Sequence, residues 1–521
     1  MTRWIVTALL LIAYPTSQTL AEEPLAKKIE AIIDGPNYLH ANWGVLFVDA
    51  KSGEVVYARN PDKLFAPASV TKLYTCAAAM IALGADSRFE TPVYQRGTVN
   101  KDGKLTGDLI LMAQGDLTFG GRRNSQGKTV FKDNDHTYAD GTATDAELTD
   151  SDPLYALKEL AKQIKDSGIK QVSGDVLIDD RLFAAARGTG SGPAAISPMI
   201  VNDNVIDLLI QPGAKVGDPA KITVRPETAY LRGDMVVTTG EAGSKAKFTE
   251  PGEDPRSYVL RGTIPLGSKP IVSLIAVERP AEFARTLFIE ALKREGIAVP
   301  APLFFPSPTT LPLPEKKVGY KDLTTVATYS SAPLKETLKV TLKVSHNLYA
   351  STLPCLVAAR KGKTMLRDGV LEQGKILKEL GVDVKAISFA GGAGGSNADH
   401  VTPQATVQLL KAMQKRPDWA AYKECLPILG QDGTLATIVP KDSPAYGKVF
   451  AKTGTLYWDD ALNDRTYLTS KALAGVMTTK VGRELVFAMF VNDVSLPKGT
   501  PTKREGIVLG KLCEVVHDHG E

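Results

Sequence analysis

The two ends of this 521-residue chain each carry part of a sheet. Near the start, "NWGVLFVDAKSGEVVYARN" alternates apolar and polar residues on both sides of Lys51-Ser52-Gly53. That is the pattern of a β-hairpin turning at Ser52-Gly53. Near the far end, Phe450 to Leu456 reads as a strand, and "KALAGVMTT" and "GRELVFAMFVND" read as two more, joined by a Lys-Val-Gly turn. An isolated hairpin is marginal in water, so the arrangement that buries all of this apolar surface is one antiparallel sheet assembled from both ends. Helical spacing at Leu25 to Ile33, after Ser69, at 331–360 (two helices), 369–380, 403–416 and 502–516 supplies its covering layers. The chain is therefore a mixed α/β protein.

The long middle has a different character. "TPVYQRGTVNKDGKLTGDLILMAQGD" and "QVSGDVLIDDRLF" are short strands broken by Gly, Asp and Asn. Between them, Gly120 to Pro153 is polar and reads as a long surface loop. Short strands recur from Val201 to Val277, and helical stretches cover 153–167 and 279–296. "VPAPLFFPSPTTLPLPEKK" is a proline-rich connector. A β-rich block is thus inserted into the sheet-forming domain, and the length suits two or three domains.

A formal net charge of +4 is spread along the chain, with no basic arm and no aromatic–basic module, which argues against nucleic acid as a partner. The opening "MTRWIVTALLLIAYPTSQTLAEEP" has one cation, Arg3, an apolar run from Trp4 to Tyr14, and Thr19-Leu20-Ala21 at a small-x-small site. It reads as a cleavable secretory signal over residues 1–21, too short to be a transmembrane anchor. The expected location is periplasmic or otherwise extracytoplasmic. Cys76, Cys355, Cys425 and Cys513 lie far apart and read as free buried thiols. His517 and His519 lack a ligand set and read as solvated. No metal or cofactor is expected.

Five Ser-x-x-Lys strings occur, beginning at Ser69, Ser125, Ser167, Ser244 and Ser495. The first alone opens an apolar helical run, "FAPASVTKLYTCAAAMIALG". Residues i and i+3 share a helix face, so Lys72 is expected beside the Ser69 hydroxyl. By itself this is also what a helix-capping serine with a solvated lysine looks like. Two further strings weigh against that. Ser345-His346-Asn347 starts a helical segment, and Lys452-Thr453-Gly454 lies on a strand. Ser-x-x-Lys, Ser-x-Asn and Lys-Thr-Gly, in that order on helix, helix and strand, form the signature of penicillin-binding proteins and serine β-lactamases. The chemistry follows from the residue types. Ser69 attacks an acyl carbon, and Lys72 is its base if burial and neighbouring cations lower its pKa; the main cause expected is its crowded, cationic surroundings, with Lys452 opposite. Ser345 relays protons, and Asn347 offers an amide to a substrate peptide group. Lys452 and Thr453 receive a C-terminal carboxylate, and Gly454 allows close approach to the substrate. The N–H groups of Ser69 and Thr455 make the oxyanion hole.

With "GDVLIDDRLF", "SPMIVNDNVIDLLIQPG" and "LPILGQDGTLAT", the chain resembles the D-alanyl-D-alanine carboxypeptidase/endopeptidase family, the class C low-molecular-mass penicillin-binding proteins, over nearly all of its mature length. The resemblance implies a serine β-lactamase/transpeptidase-like domain with a five-stranded antiparallel sheet flanked by helices, carrying two inserted β-rich domains. The expected boundaries are 22–92 and 318–521 for the catalytic domain and 93–317 for the insert. It implies hydrolysis of peptidoglycan stem peptides, as carboxypeptidase or endopeptidase, through a Ser69 acyl-enzyme, with β-lactams as inhibitors. It also implies that Asp179 is an inserted-domain aspartate placed over the site. Where relatives carry an arginine that grips the peptide side chain, this chain has Asn397, in "GGAGGSN". After Lys-Thr-Gly it inserts "YWDDALNDRTYL", whose Tyr457 and Trp458 are candidates for an apolar wall beside the cleft. A β-lactamase would share the acylation chemistry, but the class A Glu-x-x-Leu-Asn motif is absent. A non-catalytic peptidoglycan-binding relative would require a broken motif, and all three are intact.

Overall fold

The structure, a computed structural model, describes residues 24–132, 136, 147–190, 192–248, 257–303, 313 and 320–519. The expected signal segment and most of the proline-rich connector lie outside the described residues.

The central sheet is built from both chain ends. Its strands are β1 (Asn42–Asp49), β2 (Val55–Arg59), β3 (Val449–Asp460), β4 (Arg465–Thr478) and β5 (Glu484–Leu496), in the spatial order β3-β4-β5-β1-β2. All pairings are antiparallel, with Leu46 opposite Ala488 and Phe47 opposite Phe487. Strand β5 reads as a nearly continuous apolar run because both faces are covered. Val45, Phe47, Phe487 and Met489 turn toward helices α1 (Leu25–Ile33) and α8 (Lys503–His519). Leu46, Val48, Ala488 and Phe490 turn the other way, onto a helical layer. In chain order that layer holds α2 (Thr71–Leu83), α3 (Leu334–Lys343), α4 (Asn347–Arg360), α5 (Leu366–Glu379), α6 (Pro403–Gln414) and the short α7 (Trp419–Glu424). Helix α2 is buried on every side from Thr71 to Met80, which is why its sequence is apolar all round.

The inserted region has a sheet of its own. Glu90–Val99 and Lys104–Met112 form a hairpin, and Gln171–Val172 and Val176–Asp179 add to it in parallel. Thr324–Ser330 pairs antiparallel on the hairpin's other side. Two three-stranded sheets and the helices Tyr155–Asp166 and Pro280–Arg294 complete it.

Three expectations change. The stretch from Gly120 to Pro153 is not simply a surface loop, because Arg122, His136, Thr149 and Ser151 are buried. These four are enclosed by the protein, while Ser125, Gln126 and Lys128 are exposed as expected. Arg122 Nη2 donates to Asp203 at 2.5 Å, and the His136 ring bridges Asp203 and Asp207 at 2.8 Å each. Burial alone would raise the Asp203 carboxyl, but Arg122, helped by His346 and His136, holds it well below the usual range. His517 is buried, not solvated, on the inner side of α8. The segment "YWDDALNDRTYL" continues the strand that was expected to end at Leu456. It extends β3 and β4 into a two-stranded arm, with Trp458 opposite Tyr467 and Asp460 opposite Arg465. All four cysteines are free and buried, as expected.

Candidate active site

The nucleophile turn lies at the mouth of α2. Pro67 precedes a short 3₁₀ turn, Ala68–Val70, and the helix proper begins at Thr71. Ala68 has φ +46°, a left-handed conformation that costs energy in a residue with a Cβ. Neighbouring chain holds the turn in place. The Ala66 N–H donates to Asn492 Oδ1 at 2.8 Å, and Ser470 Oγ donates to the Ala66 carbonyl at 2.6 Å.

Lys72 is fully buried, and its ammonium position is fixed by three contacts. Nζ lies 2.7 Å from Ser69 Oγ, 2.7 Å from Asn347 Oδ1 and 2.9 Å from the Ala393 carbonyl. Burial pushes its pKa down to about 7, while Cys76 and Asp399 act the other way. Cationic surroundings, with Lys452 opposite, were expected to be the main cause; loss of solvent dominates instead. Repulsion between the two amines is felt at Lys452, which burial and then Lys72 push well below the ordinary ammonium range.

Asn347 begins α4, and Ser345 precedes it with φ +63°. The Asn347 amide oxygen accepts from Lys72 and so helps to position the amine. The Ser345 hydroxyl makes no hydrogen bond among the described residues, so this structure does not join it to either lysine. Lys452 Nζ donates to the Thr453 carbonyl at 2.8 Å. The Thr453 hydroxyl donates to Thr434 Oγ1 at 2.8 Å. The reason for glycine at 454 differs from the expected one. A Cβ there would lie 2.4 Å from the Pro67 carbonyl, so the missing side chain lets β3 press against the nucleophile turn itself. Thr455 Oγ1 accepts from Lys471 Nζ at 2.9 Å, and burial pushes Lys471 down to about 8.

Two expected site residues make no hydrogen bond to the three motifs among the described residues. Asp179 lines a cavity of about 540 Å³ with Tyr94, Gln114, Arg181, Tyr320 and Lys321, and no residue of the three motifs lines it. Its carboxylate accepts from Arg181 Nε at 2.8 Å and from Tyr320 OH at 2.5 Å. Asn397 is exposed and makes no hydrogen bond among the described residues. The glycine run before it has a packing reason. Gly394 has φ +87°, and a Cβ there would sit 1.9 Å from the Ala68 carbonyl. The sequence did not point to Ala393, whose contribution is a backbone carbonyl, or to Thr434, which meets the site only through tertiary contact. Lys471 was missed as well, although aligning β4 on β3 places it opposite Thr455.

A serine activated by a buried amine, at the edge of a five-stranded antiparallel sheet, defines a serine acyl-transfer enzyme with the transpeptidase-like fold. The sequence pattern of the D-Ala-D-Ala carboxypeptidase 3 (S13) family matches residues 25–510, and the chain belongs to that family as a serine-type peptidase. It is 28% identical to the D-alanyl-D-alanine carboxypeptidase of Actinomadura sp. (strain R39) over 84% of this chain and 78% of that one. It is 26% identical to the D-alanyl-D-alanine carboxypeptidase DacB of Haemophilus influenzae over 87% and 86%. The crystal structure of penicillin binding protein 4 (dacB) from Haemophilus influenzae matches with a TM-score of 0.68 at 23% identity, covering 94% of this chain and 97% of that one. The same protein complexed with a novel β-lactam matches with a TM-score of 0.67 at 22% identity, covering 94% and 98%.

Proposed function

We propose that the protein removes the terminal D-alanine from peptidoglycan stem peptides, or cleaves the D-Ala–diamino-acid crosslink, through an acyl-enzyme on Ser69, and that β-lactams acylate the same serine. The single observation that carries this is Lys72 Nζ held 2.7 Å from Ser69 Oγ with its pKa near 7. A neutral amine at that distance accepts the hydroxyl proton as Oγ bonds to the carbonyl carbon. The developing oxyanion faces the N–H groups of Ser69 and Thr455. Collapse expels the leaving amine, which takes up a proton, and water then releases the acyl group and restores Ser69. Lys452 and Thr453 receive the substrate's terminal carboxylate. An arriving anion favours the charged form of Lys452, so binding draws a proton into the site.

The catalytic domain in this reading comprises the two chain ends, with the insert running from about Glu90 to about Ser330, as strand pairing suggests. The work is placed outside the cytoplasm, where its substrate lies. Among the described residues no helix is long and apolar enough to cross a membrane.

The test is mass spectrometry after penicillin treatment, together with release of D-alanine from defined muropeptides. The adduct is expected on the peptide containing Ser69. An adduct that persists in Ser69→Ala would overturn the assignment.

A further inference from the structure

The inserted region reaches the second motif through a strained turn. Asn202, Asp203 and Asn204 have φ of +49°, +53° and +55°, three left-handed residues in a row, just ahead of the strand Val205–Gln211. Such a run costs energy in residues with a Cβ, and Asn and Asp bear it best. It persists only where the surroundings hold it. Here Asn202 Nδ2 donates to the Val205 carbonyl at 2.8 Å, and the Val201 N–H donates to Asn204 Oδ1 at 3.2 Å. The two asparagines brace the turn, and the aspartate between them bonds to other segments.

Asp203 is buried against the start of α4. Tyr349 OH donates to its Oδ1, and His346 Nε2 lies 3.5 Å from its Oδ2. His346 and Tyr349 are fully buried, and their rings stack at 3.9 Å between centroids, 16° from parallel. Arg122 and His136 hold the carboxylate from the insert's side, and Arg122 Nε also donates to Tyr349 OH at 2.8 Å. His346 is the middle residue of Ser345-His346-Asn347. On one side of it Ser345 is left-handed as well, at φ +63°; on the other, Asn347 places Oδ1 2.7 Å from Lys72 Nζ. One carboxylate of the insert thus grips the helix turn that carries the Asn347 amide.

We propose that Asp203 is a positioning residue: by fixing His346 and Tyr349 it sets the first turn of α4, and with it the reach of the Asn347 amide to Lys72. This rests on the reading of Lys72 as the base for Ser69. The chemistry gives the sign of the effect. A hydrogen bond to an ammonium favours the charged amine. If α4 loses its anchor and Asn347 withdraws, Lys72 gives up its proton more readily but is less well aligned on Ser69. Acylation then becomes slower at its plateau, while its acid limb moves to lower pH. The other titratable groups that act on or beside Lys72, namely Cys76, Asp399 and Lys452, are untouched by a change at 203 or 349. A loss of folded protein alone lowers the amplitude and leaves the limb where it is.

The experiment measures the second-order acylation rate by a fluorescent penicillin from pH 5.5 to 8.5 in the parent, in Asp203→Asn and in Tyr349→Phe. Asparagine suits the left-handed backbone at 203 and replaces the carboxylate with an uncharged group of the same shape. Loss of that charge could by itself shift Lys72. Tyr349→Phe keeps the charge and the ring stack and removes one donor to Asp203, so it separates positioning from plain electrostatics. The plateau is expected to fall about tenfold in Asp203→Asn and about threefold in Tyr349→Phe. The midpoint of the acid limb is expected to move down in both, by about half a pH unit in Asp203→Asn and by less in Tyr349→Phe. A parental plateau or a parental midpoint in Tyr349→Phe, or in folded Asp203→Asn, overturns the proposal and leaves the proposed function standing. Should Asp203→Asn not fold, Tyr349→Phe decides alone. A midpoint that rises in either variant overturns the proposal too. Absence of acylation in the parent refutes the proposed function instead.

Discussion

Lowering the pH should switch off acylation around neutrality, and the reason is the burial of Lys72. Its amine is pushed from the ordinary lysine value of 10.5 down to about 7. Only the neutral form can accept the Ser69 proton. The neutral fraction is then about 9% at pH 6 and about 91% at pH 8, so acylation should rise about tenfold between them. The same residue sets a stability dependence of known sign. Between about pH 7 and 10.5 the unfolded chain holds a proton on Lys72 that the folded protein has released, so stability rises with pH across that window. Below it the full penalty applies. At about 1.36 kcal/mol per pH unit the gap amounts to about 5 kcal/mol. Between pH 6 and pH 9 the difference in unfolding free energy between Lys72→Met and the parent should therefore shift by about 3 kcal/mol in the parent's favour. The assays are the second-order acylation rate with a fluorescent penicillin from pH 5.5 to 8.5, and urea unfolding of both proteins at the two pH values. A rate that is flat from pH 6 to pH 8, with a stability difference that does not move, would refute the reasoning.

Two further perturbations follow from the geometry. Gly394→Ala places a Cβ 1.9 Å from the Ala68 carbonyl in a left-handed position, so the loop must shift, and the Ala393 carbonyl that holds Lys72 shifts with it. Acylation should drop by about 10²-fold, as for misplacements of about 1 Å elsewhere, in a protein whose far-ultraviolet circular dichroism is unchanged; a parental rate would contradict this. Arg122→Met removes a buried cation from Asp203 and the donor to Tyr349 OH at 2.8 Å, leaving a buried carboxylate short of partners. Urea unfolding should show a loss of about 3–5 kcal/mol, and an unchanged midpoint would mean the remaining partners suffice.

The sequence by itself determined the central sheet and the three catalytic motifs. Strand alternation reports which side of a strand is buried, and it marked the hairpin 42–59 and both C-terminal strands. The motifs were legible for a similar reason: Ser69 and Lys72 meet through helical spacing alone. What depends on contact between distant segments was not legible. Arg122 and His136 looked solvated because a sequence does not show a charge's partner, and theirs is Asp203, 81 and 67 residues on. Gly454 looked like room for a substrate until the fold set the Pro67 carbonyl against it. The low pKa of Lys72 was foreseen, but the dominance of burial over neighbouring cations was not, because the desolvation of an amine depends on every segment that closes over it. The arm at 457–468 was visible as an insertion, and only the pairing of β3 with β4 made it a continuation of the catalytic edge. Local periodicity belongs to the chain; burial, ion pairing and close approach belong to the fold, because each needs two segments in one place.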